Sequence, residues 1–132
     1  MRRLAAAGLL LAACGGGDGA FGDDEVLGCH VAHRASVEAA MAEEREVLLE
    51  AGEEEVVAAG PLTWRATHSV DEGEGRALVV RVEEAGRPVT SDLYQVEEGL
   101  RNQFRGGHGF TGLRYAYASD GAEVQWWCVR QE

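Results

Sequence analysis

The sequence predicts an α+β fold: one antiparallel sheet of about four strands with two helices on one face, in the order helix-hairpin-helix-hairpin. Two observations carry this. Residues 62–83 and 112–130 alternate apolar and polar side chains at the period of a half-buried strand, each stretch broken by a turn rich in Asp and Gly. Residues 35–51 and 92–105 instead repeat apolar side chains at steps of three, four and seven, the period of an amphipathic helix.

The first helix is expected over 35–51. Val37, Ala40, Met41, Leu48 and Ala51 fall on one face, and Glu38, Glu43, Glu46 and Glu50 fall largely on the other. Gly52 supplies a C-terminal stop, and Glu53-Glu54-Glu55 reads as a solvated connection. The first hairpin follows. Leu62, Trp64, Ala66, His68 and Val70 point one way along its first strand, and Leu78, Val80 and Val82 share a face of its second. His68 on that apolar face reads as a core histidine. The second helix is expected over 92–105, with Leu93, Val96, Leu100 and Phe104 as its stripe and Asp92 with Gln95 at capping-box spacing. In the last hairpin Asp120-Gly121 is a two-residue turn signal. Pairing outward from it sets Tyr117 opposite Val124, Tyr115 opposite Trp126 and Leu113 opposite Cys128 on the core face, with Arg114 opposite Trp127 on the other.

The N-terminus has a different character. Arg2 and Arg3 precede ten uncharged residues, Leu4 to Ala13, and Cys14 follows. A charged n-region and a short apolar h-region make a secretory signal. Ten helical residues span about 15 Å, half of a bilayer core, too short for a transmembrane anchor. The run Leu11-Ala12-Ala13-Cys14 resembles the lipobox of bacterial lipoproteins. The resemblance implies a diacylglyceryl group on the Cys14 sulfur and cleavage just before it. Two or three acyl chains then anchor the protein where one would be marginal. The expected organisation is a signal peptide at 1–13, a lipidated cysteine and Gly-rich tether at 14–27, and a single α+β domain at 28–132. The expected location is the outer face of the cell membrane or the outer membrane.

The chain of 132 residues carries a formal charge of −11. Residues 14–132 hold ten Arg against 23 Asp and Glu, a net −13. Such a surface repels phosphate backbones, which excludes nucleic acid as a partner. The expected partners are the membrane, through the lipid, and a protein of the envelope. With Cys14 lipidated, Cys29 and Cys128 remain, and export would place them in an oxidising compartment. They are expected to form a disulfide.

Candidate chemistry is sparse. Gly107-His108-Gly109-Phe110-Thr111-Gly112 matches GxGxxG in letters. A dinucleotide fold needs a strand before those glycines and a helix after them; here the order is reversed. Cys29-His30-Val31-Ala32-His33 is the one metal-like cluster, because His30 and His33 would share a face of a helix. No serine sits in a GxSxG context. The reading is therefore a non-enzymatic, lipid-anchored binding domain without a cofactor. The alternative is a metal-handling lipoprotein using His30, His33 and nearby acids.

Overall fold

A computed structural model describes residues 25–73, 75–97 and 99–131. The expected signal segment, Cys14 and most of the expected tether lie outside the described residues.

Eight strands run in sequence: β1 (Val26–Arg34), β2 (Ala42–Glu50), β3 (Glu54–Ala59), β4 (Leu62–Asp71), β5 (Gly75–Glu84), β6 (Arg87–Val96), β7 (Arg114–Tyr117) and β8 (Glu123–Arg130). They form two four-stranded antiparallel sheets, sheet A in the order β2-β1-β8-β7 and sheet B in the order β3-β4-β5-β6. The chain follows a meander. It crosses between sheets after β2 and again before β7, and β1 pairs with β8, so the first strand closes against the last. At the first crossing the His68 backbone holds the corner: Gly52 donates its N–H to His68 O at 2.7 Å, and His68 donates to Glu53 O at 2.9 Å. At the second, Arg114 on β7 reaches Asp92 on β6 at 3.2 Å.

The core lies between the sheets. Trp64 of sheet B meets Trp126 of sheet A edge-on, ring centroids 6.2 Å apart. Leu27, Leu49, Leu62, Leu78, Val80, Val82 and Val124 are buried around them. Each such side chain stabilises the fold by roughly 1.5–3 kcal/mol over an exposed one. The alternation expected for 62–70 and 77–83 holds through Leu62, Trp64, Ala66, His68, Leu78, Val80 and Val82, all buried; Val70 is exposed.

The α+β expectation is corrected: the described residues contain eight strands, no α-helix and a single 3₁₀ turn at Arg105–Gly107. The first expected helix is a turn followed by β2. Val47 and Leu49, two apart, point inward, whereas Val37 and Leu48 of the expected stripe are exposed. That stripe was mostly alanine and methionine and had little area to bury. As a strand, the segment pairs with β1 from Val26↔Glu50 to Val31↔Arg45 and satisfies an edge that would otherwise be open. The second expected helix divides. Residues up to Val96 belong to β6, with Tyr94 and Val96 inward and Leu93 exposed. Asp92 caps no helix and instead accepts from Arg114.

Residues 99–113, containing the GxGxxG segment, form a loop laid along β8. Phe110 donates its N–H to Cys128 O at 3.0 Å, and Cys128 donates to Thr111 Oγ1 at 2.9 Å. Asn102 takes the place of a neighbouring strand at Arg130: it accepts from Arg130 N at 2.8 Å and donates to Arg130 O at 2.9 Å. Gly109 has φ +67°, and a Cβ there would sit 2.0 Å from Cys128 O, so only glycine permits this close approach. Gly109 thus serves packing against β8.

The last hairpin is shifted by one residue from expectation. Tyr117 pairs with Glu123, Ala116 with Val124, Tyr115 with Gln125 and Arg114 with Trp126. Ser119, Asp120 and Gly121 together make the turn, with Gly121 at φ +95° and Ala118 donating to Ala122 O at 2.8 Å. A three-residue turn of this kind replaces the two-residue turn that Asp-Gly suggested. The slip turns every β7 side chain over. Ala116 enters the core, and Tyr115 and Tyr117 face solvent.

Cys29 and Cys128 stand directly opposite each other on β1 and β8, with their sulfurs at bonding distance and Cα atoms 4.0 Å apart. The expected pairing is present. It joins two neighbouring strands rather than a strand and the approach to a helix.

Candidate functional site on the outer face of sheet A

Alternation along β1 and β8 sends Leu27, Cys29, Val31, Val124, Trp126 and Cys128 inward and leaves the intervening residues on the outer face. Three rows of polar and aromatic side chains cross that face, beside the row Leu48–Gly28–Val129. One runs Glu46–His30–Trp127, the next Ala32–Gln125–Tyr115, the third Arg34–Glu123–Tyr117. The face is unusually rich in rings for one that adds nothing to the core.

Trp127 is its centre. His30, its cross-strand partner, stacks on the indole with centroids 4.3 Å apart and planes 17° apart. His108, delivered by the loop along β8, meets the same indole edge-on at 4.6 Å. The three rings are partly buried by one another, so their positions are fixed. Tyr115 and Tyr117, two apart on the edge strand β7, stand half-exposed beside them.

Carboxylates border the rings on the β2 side. His30 Nδ1 lies 2.5 Å from Glu46 Oε2, and its Nε2 lies 3.4 Å from Glu44 Oε1. Glu44 and Glu46, two apart on β2, share the face of His30. A bulge in the β1–β2 ladder between Val31 and His33 follows, with Glu43 in the left-handed region at φ 52° and its carboxylate 3.4 Å from His33.

Glu123 organises the third row. Its side chain is 1 % exposed and accepts from Arg34 Nε at 2.5 Å and from Gln125 Nε2 at 3.4 Å. Tyr117 also hydrogen-bonds to it, and this contact holds the phenol above its usual range. One buried carboxylate thus positions a cation, an amide and a tyrosine on the surface, and it neutralises the only arginine in these rows.

His30 and His33, paired in sequence as candidate metal ligands, do not converge. Three residues apart on a strand, they leave on opposite faces. His30 lies against Trp127, and His33 lies at an inward-facing register position opposite Val124. Among the described residues no three His, Cys, Asp or Glu side chains are grouped to hold a metal. Cys29 is taken by Cys128. His68 is the core histidine that its strand position suggested. Its Nδ1 lies 3.1 Å from Leu49 O, and its Nε2 accepts from Arg76 at 3.1 Å. Burial, and the Arg76 charge after it, lower its pKa, against the opposing pull of the Leu49 hydrogen bond. The imidazole is therefore held neutral.

Sequence reasoning placed Trp127 on the outward face, since its neighbour Trp126 had to face the core, but paired it with Arg114 and missed His108, Glu44, Glu123 and the two tyrosines around it. No protein family, no curated protein and no solved structure matches this chain.

Proposed function

We propose that the chain is an exported, lipid-anchored binding domain of the cell envelope, held by Cys14 and presenting the outer face of sheet A to a partner. One observation carries the binding reading: the fixed His30–Trp127–His108 ring cluster flanked by half-exposed Tyr115 and Tyr117. Aromatic side chains with polar edges are enriched where proteins meet partners and cost folding when left on a free surface. The lipobox-like run supports the anchor. The Cys29–Cys128 pair supports an oxidising compartment. The divergence of His30 and His33 removes the geometric basis of the metal-handling alternative.

The test uses the full chain in a cell that processes lipoproteins. A fatty-acid probe should label the wild type and not Cys14→Ser. A photo-crosslinking residue at Gln125, between Trp127 and Glu123 on the outer face of β8, should give a discrete adduct. The same residue at Thr67, on the outer face of sheet B, should not. An unlabelled wild type overturns the anchor. Absence of a Gln125 adduct, or equal adducts from both faces, overturns the binding face.

A further inference from the structure

We infer that the outer face of sheet A docks a cationic, extended polypeptide segment whose basic side chains pair with Glu44 and Glu46 and stack on Tyr115 and Tyr117, beside the Trp127 cluster. This rests on the binding reading above and names the partner's chemistry. The carboxylates of Glu44 and Glu46 are well exposed, with side chains 57 % and 74 % accessible, and both lean on the ring cluster. The arginine of these rows, Arg34, is already matched by Glu123. What remains facing solvent is negative charge beside the faces of electron-rich rings. Guanidinium and ammonium groups are attracted to both: to carboxylates by charge, and to aromatic faces by the ring quadrupole within about 6 Å. The net charge of −11 adds a long-range field of the same sign.

The opposite face of the molecule has a different character. On sheet B, Arg65 and Arg81 stand directly opposite one another. Arg65 is itself paired with Glu54 and Glu83, so what sets sheet A apart is that, among the described residues, the outward positions of sheet B carry no ring beside their acids. The dimensions of sheet A set the partner's spacing. From β2 to β7 is three strand spacings, about 14 Å. An extended segment covers that in about four residues. Two basic residues four apart would therefore reach the carboxylates with one side chain and the tyrosines with the other.

The experiment uses full-length lipidated protein in detergent micelles. The probe is a fluorescent nonapeptide with two arginines separated by three Ser or Thr residues. Its counterpart with Glu at both positions, and a neutral oligosaccharide, serve as comparisons. Anisotropy should show binding of the arginine peptide only, weakened at least tenfold between 20 and 200 mM salt on the order expected for exposed charges. Glu44→Gln with Glu46→Gln should weaken it at least tenfold, as should Tyr115→Ala with Tyr117→Ala. Arg81→Gln on sheet B should not weaken it. The Glu variants alter exposed side chains and should keep the wild-type melting temperature. The inference is overturned by equal binding of the glutamate peptide, by binding of the oligosaccharide alone, by self-association in place of peptide binding, or by no binding at all. A Gln125 adduct in cells that survives the Gln substitutions would overturn the cationic partner while leaving the binding face standing.

Discussion

At the scale of single residues, two buried polar groups define how much this surface and this core tolerate. Glu123 lies between core residues Ala122 and Val124 in sequence, yet its carboxylate belongs to the outer face and is buried by the side chains it gathers. Nothing in the local pattern of β8 distinguishes such an acid from a solvated one. Its role depends on Arg34, 89 residues away. His68, by contrast, was legible, because strict alternation through Trp64 and Ala66 left it no outward direction. Its lowered pKa has a definite consequence for stability. The folded state disfavours the protonated imidazole, while the unfolded chain takes a proton near the ordinary value of about 6.5. The stability from keeping His68 neutral is complete above that value. It is lost as pH falls from there down through the lowered folded value. The groups facing the ring are Arg76 and Glu25, and Arg76 sharpens the effect because protonation would set two cations 3.1 Å apart. Melting temperatures across pH 8 to 4.5 should therefore fall more steeply for wild type than for His68→Gln. Parallel profiles for the two proteins below pH 6.5 would contradict this account.

At the scale of elements, the strands that read correctly were those whose apolar and polar side chains alternate without ambiguity. β4 and β5 pair through a short turn, and the period of two appears in both. β2 did not read correctly because its sequence is ambiguous. Ala, Met, Glu and Leu favour a helix in isolation, and Leu48-Leu49 satisfies either period according to which leucine is counted inside. The decision was made by β1, a partner whose other edge was already occupied by β8. Propensity is a weak prior against such pairing. The two leucines give a direct check on this strand. Leu49 is fully buried and Leu48 is 59 % exposed. Leu49→Ala should cost about 2–5 kcal/mol by denaturant unfolding, and Leu48→Ala about 0.5 kcal/mol or less. Equal costs, or the reverse order, would return the segment to a helix. The ring cluster escaped the sequence for a related reason. His30, Trp127 and His108 come from β1, β8 and a loop, and only the closing β1–β8 pair and the one-residue shift of the β7 register bring them and the tyrosines onto one face.

At the scale of the whole molecule, the closing pair between β1 and β8 joins the two ends of the described chain, and the disulfide sits within it. Bridging residues 99 apart removes chain entropy worth up to about 4–5 kcal/mol in the loop-closure account. Near 100 folded residues, each kcal/mol moves the melting point by roughly 4–8 °C. Cys29→Ala with Cys128→Ala, or reduction of the wild type, should lower the melting temperature by more than about 10 °C in scanning calorimetry. A shift within about 2 °C would show that the bridge adds little to the β1–β8 ladder. The position of that bridge also governs how the protein meets mechanical load. Under the N-terminal anchor proposed above, load would enter the domain from its N-terminal side. Tension entering at Val26 can peel only the few residues before Cys29, and there it meets a covalent bond to the last strand. The span between the cysteines, about 340 Å if drawn out at roughly 3.4 Å per residue, is thereby withheld from end-to-end extension. Even an unfolded oxidised domain would lengthen from end to end by only the residues outside the bridge.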